Sequence, residues 1–108
     1  KQILEGLEIY EDLERTAFDQ SFKDMSTILF VLNAIDHKSS EILLNKIERL
    51  TKNSSWKFSA LELKGFILFK EKNFPESKKI FNTIIEMGNA PTTLASRARD
   101  MVDFLEGK

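Results

Sequence analysis

The sequence has 108 residues, 42% of them hydrophobic and 31% charged, which is typical of one small globular domain spanning residues 1–108. Its formal net charge of -1 supplies no broad basic field, so nucleic acid is not an expected partner. Because the chain contains no cysteine, disulfides, thiolate metal sites and cysteine nucleophiles are excluded.

The longest apolar run, at residues 27–35, covers half a bilayer at most, so no part of this sequence is expected to cross a membrane. The first residue is Lys1 rather than methionine, and we therefore expect a piece of a longer chain. Its upstream residues could hold a signal or a membrane anchor.

Apolar periodicity predicts helices throughout the chain, and the two prolines and four glycines stand where that periodicity breaks or bends. Six helices are predicted, over residues 2–14, 20–35, 40–51, 55–71, 75–87 and 92–106. At the start of the fifth helix, Asn73 tolerates unusual backbone angles and Pro75 suits the first helical position.

Alternate helices align with one another, which indicates a repeated pair of antiparallel helices. The first, third and fifth helices share three apolar positions, Leu7/Leu44/Phe81, Tyr10/Ile47/Ile84 and Leu13/Leu50/Met87. The second, fourth and sixth share four, Phe22/Phe58/Ala95, Met25/Leu61/Ala98, Leu29/Gly65/Val102 and Leu32/Leu68/Leu105. Each set follows one helical face, which we expect to be buried.

The fourth predicted helix carries a second apolar row and an internal glycine. The second row consists of Trp56, Ala60, Leu63 and Ile67. A helix with two apolar faces needs neighbours on two sides, as in a solenoid. Because a glycine inside a helix costs about 1 kcal/mol relative to alanine, we expect Gly65 to allow close approach of Phe81 or Ile84 from the next helix.

The stretch 61–91 resembles a tetratricopeptide repeat. Five of its residues stand at positions where that family prefers particular side chains, namely Leu61, Gly65, Leu68, Ser77 and Phe81. Ile84 replaces a small residue, Pro91 falls slightly late, and Leu29 occupies the glycine position of the preceding, degenerate unit. The resemblance implies an all-α, right-handed solenoid of antiparallel helix hairpins.

Residues 53–107 also resemble the end of the periplasmic repeat domain of YfgM-type ancillary subunits of the Sec translocon. The resemblance is carried by "SSWKFSALELKGFILFKEKNFPESKKIFNTII" followed by "APTTLASRARDMVDFLEG". Such subunits have one N-terminal anchor in the bacterial inner membrane and are implicated in passing translocated proteins to chaperones. The resemblance implies a location on the periplasmic side of that membrane, and a cytoplasmic location remains the alternative.

In tetratricopeptide arrays the first helices of successive hairpins line a concave groove for a protein or peptide partner. The family's contacting positions fall here on Ser26, Phe30 and Asn33, and on Glu62, Phe66 and Phe69. Lys23 and Lys70 flank them. Two exposed phenylalanines would form an apolar stripe, although terminal helices could equally cover both rings.

Other readings of the sequence remain open. The exposed aromatic residues could instead form a self-association surface, which would make the domain structural. An enzyme or metal site would have to use His37 and Asp36, but a solvated turn is the better interpretation, so no cofactor is expected. Arg99 is predicted to pair with Asp103 one helical turn away on the capping helix.

Overall fold

The computed structural model describes the backbone of residues 8–107 and the side chains of residues 18–107. Over that range the protein is all-helical, with five α-helices, one short 3₁₀ helix and no strand. The helices are α1 (Glu8–Ala34), α2 (Ser40–Ile47), the 3₁₀ helix (Arg49–Thr51), α3 (Lys57–Lys70), α4 (Phe74–Met87) and α5 (Thr92–Leu105). None of the described helices is both long enough and apolar enough to traverse a bilayer.

The all-α prediction is confirmed, but the predicted break between the first two helices is wrong. Residues 8–34 form one continuous helix, and the predicted start at residue 2 lies outside the described backbone. The connecting residues "RTAFD" contain neither glycine nor proline, so nothing in them ends a helix. The first predicted hairpin is therefore absent, and Leu7, Tyr10 and Leu13 lie outside the described side chains.

Two local details of the chain also differ from the prediction. The third predicted helix divides into α2 and the 3₁₀ helix, and the Thr51 hydroxyl donates to the Glu48 carbonyl at 2.7 Å beside that junction. In the α3–α4 turn, Lys72 adopts the left-handed conformation, with φ of 64°, whereas Asn73 does not. The Asn73 amide is then placed to donate to the Leu68 carbonyl at 2.9 Å, which closes the end of α3.

α3 lies between two apolar clusters, which confirms that both of its faces are buried. Consecutive helices pack on each other, and α3 also contacts α1 and α5. The first cluster joins α1, α2 and α3 through Ile28, Val31, Ala34, Leu43, Ile47, Leu50, Ala60, Leu63 and Ile67. The second joins α3, α4 and α5 through Leu61, Phe81, Ile84, Leu94, Ala98 and Leu105.

Gly65 of α3 lies against Phe81 of α4, as expected. A Cβ atom built on Gly65 would stand 2.6 Å from Cζ of Phe81, whose ring is completely buried. Beside it, the buried Ser77 hydroxyl donates to the Gly65 carbonyl at 2.8 Å. The absent side chain leaves the space that the Phe81 ring occupies.

The apolar row predicted to be buried on the second helix is instead exposed. Phe22, Leu29 and Leu32 face solvent on α1, and Met25 is only partly covered. α1 turns Ile28, Val31 and Ala34 toward α2 and α3 instead. The physical reason is that Leu29 stands at the position equivalent to Gly65, where a large side chain prevents the close approach that a glycine permits.

Candidate functional site

A buried carboxylate joins α1 to the segment that precedes α3. Asp24 is 3% exposed and accepts hydrogen bonds from Nη2 of Arg49 at 2.6 Å, Oγ of Ser54 at 2.7 Å and Nε2 of Gln20 at 2.9 Å. Trp56 extends the network, because its Nε1 donates to the Ser21 carbonyl at 3.0 Å and to the Ser21 hydroxyl oxygen at 3.1 Å. These contacts fix the position of α1 by directional bonds as well as by apolar packing.

The surroundings of Asp24 keep it ionised. Burial raises the pKa of the carboxyl. The hydrogen bonds from Ser54, Arg49 and Gln20, together with the charge of Arg49, lower it by more, so the pKa lies below its ordinary value of 3.8. A carboxylate with a lowered pKa and three donors is suited to hold structure in place. It is poorly suited to accept a proton as a general base near neutral pH.

Phe30 is the most accessible of the three phenylalanines in the predicted groove. It lies on α1 with 41% of its surface exposed, and Nζ of Lys46 on α2 stands 5.1 Å from its ring centroid. Ser26 and Asn33 share its helical face and are exposed, as is Lys23. These four α1 residues therefore form one accessible surface with an aromatic centre and a cationic edge.

Phe66 and Phe69 on α3 are half-buried in the second cluster. The ring of Phe66 stands edge-on to Phe81, with centroids 5.3 Å apart. Phe69 lies between Phe74 of α4 and Phe104 of α5, with centroid distances of 5.5 and 5.9 Å. Much of these two aromatic surfaces is thus used in packing α4 and α5.

The two charged residues of the predicted groove that lie on α3 are engaged within the chain. Nε and Nη2 of Arg97 donate to Oε2 and Oε1 of Glu62 at 2.6 and 2.9 Å, which forms a two-point ion pair between α5 and α3. Nζ of Lys70 donates to the Ile35 carbonyl. The described structure holds no ion pair between Arg99 and Asp103, so that prediction is wrong, because Arg97 and not Arg99 faces a carboxylate.

The Arg97–Glu62 pair is expected to stabilise the packing of α5 on α3. A double-mutant cycle with Arg97→Met and Glu62→Gln should give a coupling of about 1 kcal/mol, because the two-point geometry is favourable and Glu62 is mostly buried. Urea unfolding measures this coupling, and 1 M salt should reduce it. The single-point pair between Lys78 and Glu106, at 3.0 Å, is the matched control and should couple by less than about 0.3 kcal/mol. Equal coupling in both pairs would contradict the prediction.

An exposed histidine and open surface clefts are the features that bear on catalysis and small-molecule binding. His37 is exposed in the turn after α1. Within the described part of the chain, no group of three or more His, Cys, Asp or Glu side chains is placed to hold a metal ion. A cleft between Ile84 of α4 and Arg99 of α5 measures about 210 Å³, and a wider one along α4, between Pro75 and Glu86, measures about 620 Å³ and is open to solvent.

Two features of the surface and core escaped the sequence reasoning. Asp24 lies in line with Ile28, Val31 and Ile35 on a second apolar stripe of α1, and an acid within such a stripe is a signal for a buried, bonded carboxylate. The sequence indicates the exposure of the Leu29 face less strongly. Its signal is that a leucine, and not a glycine, stands at the position equivalent to Gly65.

Comparison with known proteins gives no match for this chain among protein-family models, curated proteins or solved structures.

Proposed function

We propose that this chain is a non-catalytic scaffold of the tetratricopeptide type, which binds an apolar segment of another protein through a groove that contains Phe30. The right-handed solenoid is part of this proposal. It is supported by the packing of each helix on its neighbours, by the two clusters on either side of α3 and by the close contact at Gly65.

The observation that carries the proposal is the exposure of Phe30 beside Lys46. An aromatic ring that is 41% exposed and has a lysine over its face gives a partner both apolar surface and a positive charge. Ser26 and Asn33 on the same face can donate or accept hydrogen bonds to a main chain. The half-buried Phe66 and Phe69 would form the adjoining wall of the groove.

The location is proposed only from the resemblance to YfgM-type subunits. On that basis the domain would act on the periplasmic side of the inner membrane, where its partner would be a translocated or folding protein. An unfolded chain exposes apolar segments, and such segments can pack against a surface centred on a phenylalanine.

The proposal predicts weaker client binding when Phe30 is replaced. The probe is a fluorescently labelled, carboxymethylated polypeptide that stays unfolded, and its binding is followed by anisotropy. Phe30→Ser should raise Kd about tenfold, the equivalent of about 1.4 kcal/mol, because it removes the central apolar contact. Phe66→Ser is a poorer choice, since it would also remove packing on Phe81.

The matched control is Met87→Ser, which alters an apolar side chain of similar exposure, 40%, on α4. It should leave Kd unchanged. The proposal fails if the natural sequence does not bind the probe, or if both variants weaken binding equally. Circular dichroism of each variant establishes that the helices remain intact.

A further inference from the structure

α1 carries an apolar row that no described part of this chain covers. It consists of Phe18, Phe22, Met25, Leu29 and Leu32, spaced by 4, 3, 4 and 3 residues. Four of these side chains, all except Met25, are between 47% and 67% exposed. At about 100° per residue the five lie within roughly 80° of one another, on a face adjacent to the one that carries the buried Asp24, Ile28 and Val31.

The spacing of the row indicates that its natural occupant is a helix. Alternation of four and three residues is the pattern of a helix that packs lengthwise on another helix. The corresponding row on α3, Leu61, Gly65 and Leu68, is packed against α4 of the same chain. On α1 no described element occupies the equivalent place, because α2 packs on the Ile28 face instead.

The structure points to a second copy of this chain as the occupant: we propose that two α1 helices pair antiparallel along the Phe18–Leu32 row, whose flank at Ser26 and Asn33 adjoins the Phe30 groove. The exposed side chains of the row present roughly 400 Å² of apolar area per copy, and two copies would bury roughly 800 Å². Homodimer interfaces are about 65% apolar, so the total would be about 1,200 Å², the lower limit for a specific interface.

The scarcity of charge beside the row favours a second copy of the same chain as the partner. Ser21, Ser26 and Asn33 flank it and are neutral, so the row has no line of charge that would require a partner of opposite sign. Asp19 is the charged residue at the N-terminal end of the described flank. Parallel pairing would place the two Asp19 carboxylates side by side, whereas antiparallel pairing separates them to opposite ends.

The oligomeric state of the 108-residue chain tests the inference. Sedimentation equilibrium should show a monomer–dimer equilibrium with Kd of roughly 10 to 100 µM, as expected for an interface at the lower limit of size. Leu29→Glu should abolish the dimer, since two charges would be buried within the interface. Ile42→Glu, at a residue of similar exposure on α2, should leave Kd within twofold.

Spin labels test the direction of pairing, and the absence of native cysteine makes single-cysteine variants specific. Antiparallel pairing centred near Met25 places two Ser26→Cys labels close together. It places two Asn33→Cys labels farther apart by roughly 20 Å, because each stands seven residues from Ser26. A chain that stays monomeric at roughly 1 mM, a dimer that survives Leu29→Glu, or equal label distances at both positions would overturn the inference. Both measurements are made without client, so their failure is distinguishable from a failure of client binding at Phe30.

Discussion

Replacing Asp24 with asparagine is expected to lower the free energy of unfolding by about 3 kcal/mol. The substitution keeps the size of the side chain but removes the negative charge that three hydrogen-bond donors contact. The NH2 group of the new asparagine would also face donors, from which it cannot accept a hydrogen bond. Arg49 is half exposed and can be hydrated, which keeps the cost below that of a fully buried pair. Urea unfolding at pH 7 measures the loss.

The loss should also depend on pH in a defined direction. The pKa of Asp24 is lower in the folded protein than the ordinary 3.8, so the unfolded chain takes up the proton first as the pH falls. The contribution of the ionised carboxylate is therefore complete above about pH 5 and is lost as the pH falls through the folded-state pKa. The difference in stability between the natural chain and Asp24→Asn should shrink accordingly between pH 5 and pH 2.

Asp19→Asn is the matched control, because Asp19 is an exposed aspartate on the same helix. It should change stability by less than about 0.5 kcal/mol. If both substitutions cost the same, or if the effect of Asp24→Asn does not change with pH, the carboxylate does not have the structural role assigned to it.

Gly65→Ala is expected to destabilise the protein by about 2 kcal/mol although alanine is the better helix former. Alanine should gain about 1 kcal/mol in helix propensity. The new methyl group would stand 2.6 Å from the Phe81 ring, which is completely buried, so the ring or the helices would have to shift. Overpacking of this kind costs about 3 kcal/mol, so the net effect is a loss. Thermal and urea unfolding measure it.

A second substitution distinguishes this clash from other effects of alanine. Phe81→Leu shortens the opposing side chain, so the double variant with Gly65→Ala should lose less stability than the sum of the two single losses. Gly107→Ala is the control glycine, because a Cβ there meets nothing within 4 Å, and it should be nearly neutral. Strictly additive losses at positions 65 and 81 would argue against direct contact between them.

The sequence predicted most of the helices and one close contact correctly, for local reasons. Helix periodicity and the turn at residues 71–73 located α3 and α4 to within two residues of the observed ends. A glycine within a strong helical pattern identified the contact with Phe81, because few other arrangements compensate for its cost. The same reasoning identified both apolar faces of α3.

The candidate site was less predictable, since exposure depends on neighbours. Phe30 and Phe66 stand at equivalent sequence positions, yet Phe30 remains exposed while Phe66 packs on Phe81. Glu62 was predicted to lie on the rim of a groove, and the structure shows that it pairs with Arg97, 35 residues away. No local sequence pattern indicates a hydrogen-bond partner so far away in the sequence.

The amino-acid sequence by itself determined that the described part of the chain is all-helical, because helix periodicity is a property of the local chain. Of the two apolar stripes on α1, the Leu29 stripe alone was predicted from the sequence. Only the tertiary structure decided which stripe is buried. The stripe of Ile28 and Val31 is covered because α2 and α3 can close on it, and the Leu29 stripe is exposed because a leucine stands where close packing requires a glycine. Burial is thus a property of pairs of surfaces, and one helix cannot specify it alone.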